Sequence, residues 1–176
     1  MSRQRPDILF ICLGNICRSP LAEGISRALL EARGLPWEVA SCGTGRWHIG
    51  EAPDPGSVAA ARRRGLDISH QRARHLSSFS LEEIPLLITM DAQNRRDVVA
   101  ALRRSRGADE GLFLLRQFEP SAHEEVPQQL ASTEGVFDPY GASAERFDQV
   151  YAQVERCVEG LIEWATQSPE KLSLER

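Results

Sequence analysis

Ile8-Leu9-Phe10-Ile11 is an unbroken apolar run that ends at Cys12, with Gly14 and Asn15 close behind and Ser19-Pro20 following. An apolar run this short, without polar alternation, predicts a strand buried on both faces. Serine suits a helix N-cap and proline a first turn, so Ser19-Pro20 predicts the start of a helix. Leu21, Ile25, Ala28, Leu29 and Ala32 would give that helix its apolar face, and Gly34 its end. A strand covered on both sides needs helices above and below it, which commits the chain to a layered α/β domain.

The rest of the chain repeats the alternation. Trp37 to Ser41 predicts a second strand, and Ser57 to Arg64 a helix closed by Gly65. Ser80 and Glu83 have capping-box spacing for one short helix. Leu86-Leu87-Ile88-Thr89-Met90 then reads as a strand, Asp91 as the cap of a helix with Val98, Val99 and Leu102 buried, and Leu112 to Leu115 as a fourth strand. Phe147, Val150, Tyr151, Val154, Val158, Leu161 and Ile162 recur at helical spacing. The expectation is one α/β domain over residues 1–176: a four-stranded parallel sheet flanked by helices on both faces. Its core would run from about 7 to 165, followed by a polar tail. The stretch from Arg116 to Phe137 has weak periodicity and reads as a functional or mobile loop leading into Asp138-Pro139-Tyr140.

Composition narrows the function classes. A 41% hydrophobic and 26% charged share is that of a soluble globular protein. A net charge of −4 argues against a general nucleic-acid binder, and Arg62-Arg63-Arg64 reads as a solvated helix end. No window approaches the apolar length of a membrane span, and Ile8 to Leu13 runs into a glycine turn rather than a cleavage site. A cytoplasmic protein without a membrane partner is expected. Cys12, Cys17, Cys42 and Cys157 do not pair as a disulfide framework, nor do they form zinc spacing with His48, His70, His75 or His123.

The segment Cys12-Leu13-Gly14-Asn15-Ile16-Cys17-Arg18-Ser19-Pro20 lies where the first strand ends and a helix begins, the place where open parallel sheets bind ligands. A helix N-terminus offers unpaired N–H groups and about half a positive charge. Gly14 and Asn15 tolerate left-handed backbone, so residues Leu13 to Arg18 can curl into a nest of N–H groups around a phosphate. Five residues separate Cys12 from Arg18. In a closed ring the Cys12 sulfur would sit beneath the phosphorus, and the planar fork of Arg18 would grip two phosphate oxygens. The same positive field favours the thiolate, a competent nucleophile. Ser19 is placed to donate a hydrogen bond to that sulfur.

These nine residues, CLGNICRSP, resemble the signature loop of the low-molecular-weight protein tyrosine phosphatases. The likeness runs from about Asp7 to Trp164. Ser41 to Gly50, with Trp47-His48-Ile49-Gly50, resembles that family's second loop. Gly65 to Leu76, Met90-Asp91 with Asn94, and Asp138-Pro139-Tyr140 match further segments. The resemblance implies Cys12 as nucleophile, Arg18 as phosphate and transition-state binder, and Asp138 as general acid and then base, with no metal or cofactor. It implies that Asn15 holds the loop's backbone with Ser41 and His70 behind it, that Trp47 and Tyr140 wall a phosphotyrosine slot, and that Cys17 traps an oxidised Cys12 as a disulfide. Gly141 stands where the family often has a second aromatic residue. A tyrosine-phosphorylated protein, such as a tyrosine kinase, is the implied partner; oligomeric state is left open.

Three rivals share parts of this pattern. An arsenate reductase of the same fold needs two further cysteines after the third strand, and Leu86 to Phe118 contains none. A protein arginine phosphatase resembles the chain closely but has a small polar residue where Ile16 stands. A non-catalytic phosphate-binding module would be expected to lack the nucleophile, the arginine or the acid, all of which are present.

Overall fold

The computed structural model describes residues 5–102, 111–120 and 135–172. Strands β1 (Ile8–Cys12), β2 (Val39–Gly43), β3 (Leu86–Thr89) and β4 (Leu112–Leu114) form one parallel sheet in the order β2-β1-β3-β4. β1 is central, paired from Ile8↔Val39 to Cys12↔Gly43 on one side and from Ile8↔Leu86 to Ile11↔Thr89 on the other. The chain leaves β1 toward β2 and later returns to β1's other edge with β3, so a crevice opens at the carboxyl ends of β1 and β3. β2 begins at Val39 rather than Trp37. The amides of Asp7 and Ile8 both donate to the Glu38 carbonyl, which sets the first rung of the ladder there.

Strand alternation divides the interior in two. Ile8, Phe10 and Cys12 face the larger core with α1 (Arg18–Arg33) and α4 (Ala144–Gln167). Leu9 and Ile11 face the smaller core with Val98 and Leu102 of α3 (Ala92–Leu102). All seven periodic positions of α4 are buried, and Cys157 and Ala165 join them. The α1 stripe differs from expectation. Leu21, Ala22, Ile25 and Leu30 are buried, whereas Ala28 and Ala32 are exposed. The inward face also takes Glu23 and Ser26, and alanine is small enough to sit in water at little cost.

The ends of the helices follow their caps. α2 (Pro55–Arg62) starts two residues before Ser57 because the Asp54 carboxylate accepts the Gly56 N–H at 2.7 Å, with Pro55 in the first turn. Arg63 at its far end ion-pairs with Asp148 of α4 at 2.7 Å, so that part of the basic cluster docks a helix instead of only facing water. Asp91 caps α3 by accepting the Asn94 N–H at 2.8 Å. Leu81–Glu83 is a single 3-10 turn to which the Ser80 side chain contributes no cap.

Arg116 lies in a 3-10 turn, Leu115–Phe118, rather than in a loop. Phe118 packs with Phe113 and Trp164, and the Glu119 carboxylate accepts from Arg156 of α4 at 2.7 Å. The central part of the anticipated loop, residues 121–134, falls outside the described residues. At the C-terminus, Pro169–Leu172 forms another 3-10 turn and Leu172 packs on the larger core, which extends past residue 165. Among the described residues no helix is long and apolar enough to cross a membrane.

Candidate active site

β1 delivers Cys12 to the crevice and α1 begins at Arg18, so residues 13–17 must turn the chain through a tight arc. Asn15 makes that turn with φ 56°, the one left-handed non-glycine residue among those described. Left-handed backbone is unfavourable for most side chains and tolerated by asparagine when its polar group is engaged locally. Here both amide hydrogens and the amide oxygen are engaged. Nδ2 donates to Ser19 Oγ at 2.8 Å and to Ser41 Oγ at 2.9 Å, and Oδ1 accepts the Arg74 N–H at 2.8 Å. Ser41 Oγ donates onward to the Glu23 carboxylate at 2.6 Å.

The loop places Cys12 Sγ at the floor of a cavity of about 190 Å³. The Asn15 N–H donates to this sulfur at 3.2 Å, and Ser19 Oγ lies 3.0 Å from it. Ser19 therefore sits inside the first turn with its hydroxyl on the sulfur, and Cys17 takes the N-cap position that the sequence assigned to serine. Leu13, Gly14, Ile16, Cys17, Arg18, Trp47, His48, Asp138 and Tyr140 complete the cavity wall.

Arg18 is 3% exposed and held from three directions. Nη1 donates to Asp91 Oδ2 at 2.7 Å and to the Val136 carbonyl at 3.0 Å, and Nη2 reaches Asp138 Oδ2 at 3.3 Å. Nε is buried with no hydrogen-bond partner. Burial works against the Arg18 cation, but Cys12, Asp138 and Asp91 outweigh it and raise its pKa. A buried guanidinium with one donor unsatisfied beside a nested N–H group is a receptor for an oxyanion.

The family model for "Low molecular weight phosphotyrosine protein phosphatase" matches residues 7–172. The chain belongs to that family. It is 30% identical to the pig low molecular weight phosphotyrosine protein phosphatase over 159 residues, which span 89% of this chain and 94% of the relative. Among solved structures, the low molecular weight protein tyrosine phosphatase from T. tengcongensis superposes with a TM-score of 0.74 at 31% identity, covering 89% of this chain and 97% of the other. The YwlE arginine phosphatase, solved as a variant with a phosphorylated active-site serine, superposes with a TM-score of 0.77 at 23% identity, covering 94% and 99%, and so shares the fold. This low molecular weight phosphatase is a phosphoric monoester hydrolase.

In this phosphatase most of the residues singled out from sequence converge on one cavity, and one does not. Cys12 to Ser19, Trp47, Asp138 and Tyr140 meet there or directly behind it, and Ser41 supports Asn15. His70 does not stand behind Asn15. Glu23, reaching from α1, takes the place behind Ser41, while His70 is exposed on the rim of a separate cleft. Trp47 and Tyr140 are 72% and 65% exposed, which makes them walls of the opening rather than core. Gly141 has φ 74° and open space around it, so the position of a second aromatic is a left-handed turn with no wall.

Sequence reasoning missed four participants. Asp91, expected as a helix cap and as part of a segment resembling the family, also holds Arg18 through its second oxygen; a buried arginine needs a counter-charge, but its sequence position cannot be foreseen. The Val136 carbonyl and Gly135 owe their place to tertiary docking, and Glu23 is a buried carboxylate on α1 that no local signal marks.

Proposed function

We propose that the chain hydrolyses phosphotyrosine in proteins, and small aryl phosphates, through a cysteinyl-phosphate on Cys12. The observation that carries this reading is the position of Cys12 Sγ, bonded to a loop N–H and to Ser19, in a cavity that Arg18 and Asp138 also line. The phosphate oxygens take the loop N–H groups and the Arg18 fork. In doing so they compete with Asp138 for Nη2, which leaves the carboxyl group next to the leaving oxygen. Cys12 Sγ attacks phosphorus, the phosphorus–oxygen bond breaks, and Asp138 transfers its proton to the departing phenolate oxygen. Water then attacks the cysteinyl-phosphate while Asp138 takes its proton, releasing phosphate and restoring the Cys12 thiolate. Charge building on the phosphoryl oxygens is met by fixed donors.

Trp47 and Tyr140 line the opening with aromatic rings that can flank a phenyl group, and Ile16 lines the cavity where the rival arginine phosphatase has a small polar residue. Aromatic walls support phosphotyrosine proteins as substrates; a tyrosine kinase as one of them, and a cytoplasmic setting, follow from the family resemblance. Cys17 lines the same cavity. Burial and then the Asp54 carboxylate push its thiol pKa well up, so it meets an oxidised Cys12 as a neutral thiol. Peroxide would convert Cys12 to a sulfenic acid, and Cys17 would then displace water to form a disulfide that thiols can reverse.

The test is turnover of para-nitrophenyl phosphate near pH 6 with chelator, wild type beside Cys12→Ser. Activity that resists chelator and vanishes in the variant is expected. Activity surviving in Cys12→Ser would remove Cys12 as nucleophile, and a reduced wild type inert toward this substrate would favour the binding module. Preference for phosphoarginine over phosphotyrosine peptides would favour the arginine reading.

A further inference from the structure

A second cleft, of about 440 Å³, opens on the side of Asn15 away from Cys12, between α1 and residues 70–74. Its lining is Glu23, Arg27, His70, Gln71, Arg72 and Arg74. Three arginines thus face one carboxylate, and that carboxylate is already committed. Glu23 Oε1 accepts from Arg27 at 2.9 Å, while Oε2 accepts from Ser41 at 2.6 Å and stands 3.5 Å from Arg74 Nη2. Arg27 and Arg74 share that one carboxylate, so two positive charges are left over, and Arg72 contributes one of them without an acidic partner among the described residues. Its Nη1 donates to the carbonyls of Ser69 at 2.9 Å and Gln71 at 2.7 Å, bonds that fix the guanidinium without neutralising it. Gln71, 8% exposed, donates Nε2 to the Pro20 carbonyl and leaves Oε1 buried without a partner.

We propose that this cleft is a second oxyanion site, for a phosphoryl group distinct from the one undergoing hydrolysis. A concave surface with surplus arginine charge concentrates anions, and arginine forks match phosphate geometry. The His70 ring at the rim lies where an occupant would meet it. The cleft adjoins the catalytic loop by two hydrogen-bonded routes. The Arg74 N–H bonds Asn15 Oδ1, and Glu23 holds Ser41, which holds Asn15 Nδ2. An occupant therefore bears on the one strained residue of the loop from behind. The phosphoryl group can arrive on a small molecule or on a second phosphorylated residue of the substrate protein.

The proposal is tested by saturating the catalytic loop with vanadate and titrating the intact protein with sodium pyrophosphate in a calorimeter. One further equivalent is expected, weakened about tenfold or more in Arg72→Met, as removal of one arginine fork implies. Arg72 is exposed and bonds only carbonyls of its own turn, so this variant keeps its fold. A second arm measures binding of singly and doubly phosphorylated tyrosine peptides to Cys12→Ser. An advantage of the doubly phosphorylated peptide that disappears with Arg72→Met assigns the cleft to the substrate. Equal binding of the two peptides, with the pyrophosphate equivalent retained, assigns it to a small molecule. No second equivalent of pyrophosphate, or one equally tight in Arg72→Met, would overturn the site.

Discussion

Asn15 shows how one residue can join a strained backbone to a working site. Its φ of 56° costs about 1 kcal/mol for a side chain without local partners. The bonds to Ser19, Ser41 and Arg74 offset that cost and orient the N–H that reaches Cys12 Sγ. Asn15→Ala should lower kcat/KM about a hundredfold, because displacements near 1 Å in a reacting geometry have effects of that order. Asn15→Gly relieves the φ strain and not the lost bonds, so it should be more stable to urea than Asn15→Ala yet almost as slow. If Asn15→Gly restores activity, the side-chain bonds are irrelevant and only backbone freedom matters. Asp138 makes a different prediction. If it is the acid, Asp138→Asn should be slowed much more on phosphotyrosine than on para-nitrophenyl phosphate, whose leaving group needs little protonation. Equal loss on both substrates would instead assign it a binding role.

At the level of elements, the site depends on how the segment carrying Asp138 docks on β3. The Val136 N–H donates to the Met90 carbonyl at 2.7 Å, continuing the line of β3, and the Val136 carbonyl accepts from Arg18. Gly135 makes this approach possible. A Cβ there would lie 2.5 Å from the Asp91 Cβ and 2.6 Å from the Met90 carbonyl oxygen, closer than real atoms approach. Gly135→Ala should push the segment outward, detach Val136 from Arg18 and cut turnover of phosphotyrosine about tenfold or more, while Cys12 remains reactive toward alkylating agents. Unchanged turnover would show that the segment docks by other contacts. Arg18 is thus a clasp, since one nitrogen bridges the start of α3 and the segment carrying Asp138.

For the whole molecule, the buried thiols set a limit on alkaline stability. Burial pushes the thiols of Cys17 and Cys42 far up and that of Cys157 to about 12, each from an ordinary value of 9.0. In the unfolded chain all three ionise above about pH 9, whereas in the folded chain they hold their protons. The folded state then binds more protons than the unfolded one, so stability is fully present below pH 9 and falls as pH rises above it. Each thiol contributes a slope of about 1.4 kcal/mol per pH unit in that window. Urea midpoints of the reduced protein should drop steeply between pH 9 and 11, and serine at Cys157 should flatten the decline by one thiol's share. A midpoint independent of pH over that range would mean the thiols ionise in place. Below the window these three buried thiols stay protonated, so alkylation of the folded protein should favour Cys12.

Much of this protein was legible in its residue order because the signals involved are local. The apolar run Ile8–Ile11, the turn residues Gly14 and Asn15 and the seven-position stripe of α4 act over a few neighbours, and each specifies its element without reference to the rest. Cys12 and Arg18 lie within one loop, so their spacing already contained their geometry. Helix starts were less legible: Ser19 looked like a cap, but its hydroxyl found a better partner in the Cys12 sulfur, and Asp54 captured the start of α2. Long-range partners were not legible at all. Asp91 and Val136 meet Arg18 across 73 and 118 residues of chain, and nothing local to either announces the meeting. The place behind Ser41 that the resemblance gave to His70 falls to Glu23 for the same reason: α1 brings its carboxylate inward, and the imidazole stays at the rim of the other cleft. The sequence by itself determined the sheet, the loop and the pair of residues at its ends. Only the tertiary structure decided which charges neutralise the buried arginine and what supports the strained turn, because those choices depend on distances that folding alone creates.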